Sequence, residues 1–422
     1  MTSKSQTRLK LLSVKWIKLL GIALLIGAFS AFVAITLKSA TEYYEEMLFE
    51  KSIHSKWLLL VFPLVGLAAI FVLRQHLFRK KENKGIAEVF DSLKTGKGLP
   101  LYKIPSHFLN GLLTVVFGGT TGIEVSTVVA SAAVGSVTHD KQNFFRKYKT
   151  EMICAGISSG LTALFNSPLA GILFSLEVVS RKKSFKALLI MAFACLSALV
   201  VSHFFSPGTL FEVNVTHWNV SALPYLAVFA IFAALNSVYL TKSVLWFKSK
   251  SALFSKPEYK ILPAAVIIGI GLVVLPQLYG DGYHGIKVLF RESDAAFSLG
   301  LVALLISLLV IKPLLTAVTL WGGGDGGVFA PSLVTGAIAG LLFALVANHF
   351  FDARLIPINF MLIGMAAVLS ATIQAPLTAV FLVCGITGNY VLLLPLLLVC
   401  CLSGFSAKKM YPFTVYTYKP AA

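Results

Sequence analysis

Charge is what this sequence has least of. Asp, Glu, Lys and Arg together make up 13% of its 422 residues, about half of what a soluble domain carries. Acidic residues are scarcer still, 18 against 36 basic ones. The eight histidines never stand beside Glu or Asp in HExxH-like spacing, which removes that metallohydrolase signature. The five cysteines, Cys154, Cys195, Cys384, Cys400 and Cys401, lie in apolar runs without metal-ligand spacing. They read as buried, inert thiols, and no metal or cofactor is expected. The basic residues flank apolar spans and lack interleaved aromatic stacking platforms, so nucleic-acid binding is excluded. A cleavable signal peptide is also missing. Residues 17–40 are too long for its apolar core and lack a convincing cleavage site, so they read as a first span.

Apolar residues fill the space that charge leaves, at 57% of the chain with a mean hydropathy of +0.83. Strong spans fall at about 17–40, 56–78, 186–206, 222–247, 260–277 and 297–320, several reaching the roughly 20 residues that cross a bilayer. The runs are continuous rather than alternating, so the fold class is all-α and polytopic, not a barrel. Basic clusters flank these spans: Lys4, Arg8, Lys10, Lys15 and Lys18; Arg79, Lys80, Lys81 and Lys84; Lys141, Arg146, Lys147 and Lys149; Arg181, Lys182, Lys183 and Lys186; Lys242, Lys248, Lys250 and Lys256. A first external loop is expected to hold Glu42, Glu45, Glu46 and Glu50. By the positive-inside rule both termini are cytoplasmic.

Weaker segments, broken by Gly and Pro, fall at 104–119, 122–138, 151–165, 168–180, 327–349, 358–373, 376–386 and 388–404. Such interruptions point to helices that stop partway through the membrane. Two of these stretches recur. Residues 156–171 match 364–379, with Pro168 and Pro376 in register, and 122–135 match 327–340. The copies keep their order, once per half. This predicts two inverted-repeat halves, about 85–250 and 260–410, inside a membrane domain at 17–415. Tails at 1–16 and 416–422 complete the expected organisation, with no regulatory domain after the second half.

One glutamate, Glu124, stands in the glycine-rich stretch Gly118-Gly-Thr-Thr-Gly122-Ile123-Glu124. A carboxylate at membrane depth needs a partner or a function. Helix N-termini offer unpaired N–H groups and a partial positive charge. A carboxylate tethered beside one can occupy the anion's place itself, which is the behaviour of a gate. Four loops are candidates for one anion site: Gly96-Lys97-Gly98-Leu99-Pro100, Gly122-Ile123-Glu124, Gly326-Gly327-Val328-Phe329-Ala330-Pro331, and Tyr411 before Pro412. Backbone donors and a phenol hold an anion without a lysine trap, so the ion can leave.

These motifs resemble the CLC family of chloride channels and chloride/proton exchangers. The resemblance runs from about 17 to 415 and is carried by Phe165-Asn-Ser-Pro168-Leu-Ala-Gly-Ile-Leu-Phe-Ser-Leu-Glu177, Gly327-Val-Phe-Ala-Pro-Ser332 and Ile373-Gln-Ala-Pro376-Leu-Thr378. It implies a homodimer with one pore per subunit, a gating role for Glu124, and a central anion held by the amides of Val328 and Phe329. It also implies an inner gate at Tyr411, with Tyr416 as the fallback, and a prokaryotic inner membrane as the setting. Four departures matter. Lys97 stands where the family often has serine. Gly122-Ile123-Glu124-Val125-Ser126 lacks the basic neighbour and the Gly-Pro pair of the usual motif. Glu177-Val178 replaces a pair of glutamates whose second member passes protons in exchangers, and valine carries none. Asp325 precedes the anion loop and is expected to pair with Lys97 or a peptide dipole, or to cap the loop. The expected function is passage of chloride and similar monovalent anions, channel-like or weakly proton-coupled. The alternatives are a chloride/proton exchanger with another inner proton path, a fluoride-selective relative and, distantly, an intramembrane enzyme using Glu124 and Glu177.

Overall fold

The computed structural model describes residues 3–81, 83–141, 146–180, 184–206, 208–253, 256–293 and 297–418. Arg181, Lys182, Lys183 and residues 419–422 of the C-terminal tail lie outside them, as do the side chains of Lys4, Arg8, Lys10 and Arg146. The described residues form sixteen α-helices. Eight helical stretches are long and apolar enough to cross a membrane.

The first of them corrects an expectation. Helix α1 runs unbroken over Ser3–His54, so Glu42, Glu45, Glu46 and Glu50 lie on a helix and not in a loop. Its 52 residues rise about 78 Å, more than twice the roughly 30 Å of a hydrocarbon core. The basic end and the acidic end of α1 therefore mark two faces of the molecule. Helix α2 (Leu58–His76) returns to the basic face. There the chain enters the short α3 (Ile86–Thr95) and then α4 (Lys103–Val116).

The interrupted segments become pairs of short helices. Helices α5 (Glu124–Lys141), α6 (Lys149–Phe165), α7 (Pro168–Phe174) and α8 (Phe185–Phe205) follow α4. A long α9 (Leu223–Ser249), α10 (Ile261–Val274), a nine-residue α11 (Tyr283–Arg291) and α12 (Leu299–Trp321) lead to the second set. That set is α13 (Phe329–Phe351), α14 (Pro357–Ile373), α15 (Pro376–Thr387) and α16 (Leu393–Met410).

The recurring sequence builds the same break twice. Helix α6 ends on Asn166 at φ 52° and α14 on Gln374 at φ 53°, both left-handed. The following Ser167 and Ala375 leave the helical region, as a residue before proline must. Pro168 and Pro376 then open α7 and α15, where a missing N–H costs nothing. The two breaks meet: the Ser167 hydroxyl donates to the Phe381 carbonyl at 2.7 Å.

Helix α13 lies at the centre. The apolar window of Phe329–Phe351 is 89% buried, against 28–44% for the other seven crossing stretches. Those others expose large apolar side chains such as Leu196, Val200, Ile231, Leu235, Val266 and Ile270, a surface suited to lipid. Of the cysteines, four are buried as expected, while Cys401 is exposed on α16.

Candidate functional site

The loops that open α5 and α13 are joined backbone to backbone. The Gly327 amide donates to the Gly122 carbonyl at 3.2 Å, and the Gly122 amide to the Gly327 carbonyl at 3.4 Å. Two helix starts far apart in the sequence are thereby held side by side. The first bonds beyond each start are Thr127 N–H to Ile123 and Ser332 N–H to Val328. The amides of Glu124, Val125, Phe329 and Ala330 precede them, so they belong to the unpaired first turn of each helix. Pro331 supplies no donor there. Glycine is obligatory in this junction. A Cβ on Gly327 would lie 2.2 Å from the Val125 side chain, and one on Gly326, at φ +154°, would lie 2.4 Å from Thr121.

Glu124 is fully buried at this junction. Its carboxylate folds back over its own helix start, so that a Cβ on Gly122 would fall 1.8 Å from Oε2. The Tyr283 hydroxyl donates to Oε1 at 2.7 Å. Oε2 has no aligned hydrogen-bond partner among the described residues, although the Ala330 amide bears on the same carboxylate. An acid group thus sits where two helix starts would hold an anion. Ile123, also buried, packs beside it.

Cavities approach Glu124 from both faces. Toward the acidic face, a space of about 20 Å³ is lined by Lys38, Glu42, Glu124, Asp281 and Tyr283. It leads to a vestibule of about 180 Å³ under Glu42, Glu45 and Glu46. Toward the basic face, a vestibule of about 470 Å³ is lined by Lys84, Gly85, Ile86, Gly327, Val328 and Tyr416, with Lys248 and Asp325 at its wall.

Two of the sequence assignments need correction. Gly96, Lys97 and Gly98 do not line either approach. A Cβ on Gly98 would meet Asp140 and Ser136, and the Lys149 ammonium donates to the Gly96 carbonyl at 2.9 Å. Ser136 is twelve residues along α5 from Glu124, about 18 Å away along the helix axis. Lys97 is exposed there. The loop facing Val328 is instead Lys84-Gly85-Ile86, at the start of α3, where Gly85 takes φ +59°. The fuller Gly-x-Gly-Leu-Pro pattern at the end of α3 drew the assignment away from it. Gly85-Ile86 with Glu88 two residues further on, at the start of an amphipathic helix, was the signal available. Tyr411 is misplaced for a similar reason. It packs against Phe413 and under Lys242, whereas Tyr416 carries its buried hydroxyl to the vestibule, 3.8 Å from a Cβ on Gly327. Tyr411-Pro412 ends α16, and five more residues are needed to turn back to the site.

Asp325 does not pair with Lys97. Its carboxylate accepts from the Asn83 amide at 2.6 Å and lies 3.2 Å from Nδ1 of the fully buried His107. Glu88 completes the group, 2.7 Å from the Lys103 ammonium and 3.8 Å from Nε2 of His107. Burial works against the Glu88 charge, but His107 and Lys103 hold it below the usual carboxylate value. Neither Asn83, His107 nor Tyr283 carried a local sequence signal.

Glu177 is occupied structurally. Oε2 accepts from the Thr378 amide at 2.8 Å and its hydroxyl at 2.7 Å, and Oε1 from the Leu377 amide at 3.3 Å. It thereby caps α15 from outside. Val178, buried, lines a separate cavity of about 340 Å³ that also reaches Tyr416.

Known proteins are similar to this chain in sequence and in fold. Residues 65–408 match the voltage gated chloride channel family. The H(+)/Cl(-) exchange transporter ClcA of Salmonella arizonae is 27% identical over 404 residues, 90% of this chain and 83% of that protein. Its counterpart in Vibrio vulnificus is 28% identical over 405 residues, 90% and 85% of the two chains. The fold matches a CLC-type fluoride/proton antiporter at TM-score 0.80 and 22% identity, covering 95% and 97% of the two chains. It matches a slow cyanobacterial Cl-/H+ antiporter at TM-score 0.81 and 21% identity, covering 94% and 96%. An intramembrane enzyme is thereby set aside. With a match across most of its length and two paired helix starts around a buried glutamate, this chain belongs to the CLC family of anion transport proteins, integral to a membrane.

Proposed function

We propose that the protein passes chloride and similar monovalent anions across a membrane through a path gated by Glu124, with little or no obligatory proton exchange. One observation carries this reading: the Glu124 carboxylate lies at the joined starts of α5 and α13, between a cavity on each face. A bound anion and the ionised carboxylate then compete for the same amides. Val328, Phe329 and Ala330 supply backbone donors, and Lys84-Gly85-Ile86 and Tyr416 form the wall on the basic side. In this reading the basic face is cytoplasmic, as are both termini, the setting is a prokaryotic inner membrane, and the molecule is a homodimer in which each subunit holds two inverted-repeat halves and its own pore.

Weak coupling is supported by Val178, which lines the separate cavity of about 340 Å³ that reaches Tyr416, where a proton carrier would be needed. The second reading, a chloride/proton exchanger, is favoured by the names of the relatives and by Asp325 at the vestibule wall with the buried His107 behind it, an alternative pair of proton carriers. Purified protein in liposomes with opposed chloride and proton gradients distinguishes the two. Channel-like passage gives a reversal potential that follows chloride alone. Uphill proton movement driven by chloride supports exchange. Faster efflux of fluoride than of chloride would overturn the choice of anion.

A further inference from the structure

Among the described residues, Tyr283 is the one side chain that donates a hydrogen bond to Glu124. It opens α11 and reaches the carboxylate from the acidic face. Three contacts fix it. Its amide donates to Asp281 Oδ1 at 2.8 Å. Its ring meets Phe211 edge-on at 5.7 Å, and Phe211 is itself 1% exposed and tied by its amide to Ile386 at 3.0 Å. The preceding Gly282, at φ +89°, lies over the buried Lys312, whose ammonium donates to the Gly280 carbonyl at 3.0 Å. Tyr283 and Asp281 also line both the outer vestibule and the small cavity that touches Glu124. The phenol therefore stands between the outer water and the gate.

We propose that Tyr283 is the outer latch of the gate, a positioning residue whose hydroxyl holds the Glu124 carboxylate in the anion's place. This rests on Glu124 being the gate. The physical reason is one of partners. A carboxylate leaving the junction must give up a 2.7 Å bond from a braced donor, and a hydrogen bond to a charged group is among the stronger ones. Lowering the charge of Glu124 weakens that bond and frees the side chain. The other charged or titratable groups bearing on the site are Asp281 in the loop before α11, Lys312 on α12, Lys38, Glu42 and Glu45 on α1, and Tyr416 beyond α16. A change confined to the Tyr283 oxygen leaves all of them in place.

The test is the pH profile of chloride efflux from liposomes. Tyr283→Phe keeps the ring on Phe211 and removes the donor. Efflux at neutral pH should rise, and the midpoint of acid activation should move toward alkaline pH by about one unit, the scale of one charge-assisted hydrogen bond. Site-specific 3,5-difluorotyrosine at 283, a stronger donor of the same shape, should move it toward acid. On a Glu124→Gln background, Tyr283→Phe should change nothing further, because coupled residues are not additive. An unchanged midpoint in both single variants overturns the latch. So does an equal rise of efflux on the Glu124→Gln background. Should Tyr283→Phe fail to assemble, the fluorinated protein decides alone. If Glu124→Gln itself leaves the pH profile intact, it is the gate reading that fails, and not only the latch.

Discussion

At the scale of single residues, the site depends on a missing side chain. A methyl group on Gly122 would fall 1.8 Å from the Glu124 carboxylate and 2.7 Å from the Ala330 Cβ. It would fill the anion's place whether or not the carboxylate moves aside. Gly122→Ala is therefore expected to lower chloride efflux by at least roughly tenfold, each decade being about 1.4 kcal/mol of lost binding. Glu124→Gln predicts the opposite. It keeps the volume and removes the charge that competes with the anion, so efflux should rise and lose most of its pH dependence between about pH 4 and 8, a range that runs upward from the ordinary glutamate pKa of about 4.3. Tracer chloride efflux across that range checks both. A Glu124→Gln protein that still responded to acid would remove Glu124 from the gate.

Among elements, the broken helices divide what the sequence told from what it withheld. Their existence was legible because Asn166-Ser-Pro168 and Gln374-Ala-Pro376 combine a left-handed residue, an extended one and a proline in a fixed order. The Gly122 and Gly327 loops were legible as copies of each other, and the structure joins them. The partners of these elements were not legible, because they arrive from far along the chain. Tyr283 lies 159 positions from Glu124, and Glu177 lies 201 from the Thr378 it caps. Local pattern even misled at Gly96-Lys97-Gly98-Leu99-Pro100, which fits a motif better than Lys84-Gly85-Ile86, the loop that faces Val328. Similarly, the acidic run Glu42–Glu50 reads as loop until Asp281 is seen donating its amide to Glu45. The cap on α15 gives a prediction at this scale. Glu177→Ala strands the Leu377 and Thr378 amides, at a cost of about 1–3 kcal/mol, with chloride passage retained. Thermal unfolding in detergent should show the loss, and Glu177→Gln, which keeps an acceptor, should recover part of it. Loss of transport at full stability in Glu177→Ala would instead give that residue a direct part in conduction.

For the whole molecule, the uneven distribution of scarce charge matters more than its net value of +18. The outer approach is lined by Glu42, Glu45, Glu46 and Asp281 against Lys287, and the inner vestibule by Lys84 and Lys248 against Asp325, which is itself paired with His107. Both lysines are exposed at its rim rather than buried at the amides. They can concentrate anions at the mouth without binding them tightly, since a hydrated ammonium at the edge of a low-dielectric funnel acts through its field. The acidic approach does the reverse for anions and favours the arrival of protons at Tyr283 and Glu124. An electrical asymmetry follows. Neutralising both lysines with Lys84→Gln and Lys248→Gln should lower passage of anions entering from the basic face by on the order of tenfold at low ionic strength. Entry from the acidic face should change far less. The difference should fade as salt approaches 1 M, where the screening length is about 3 Å. Currents across planar bilayers, with chloride raised on one side at a time, measure this directly. A loss that is equal from both faces and survives high salt would mean that the lysines contact the ion, and that the vestibule works by binding instead of by its field.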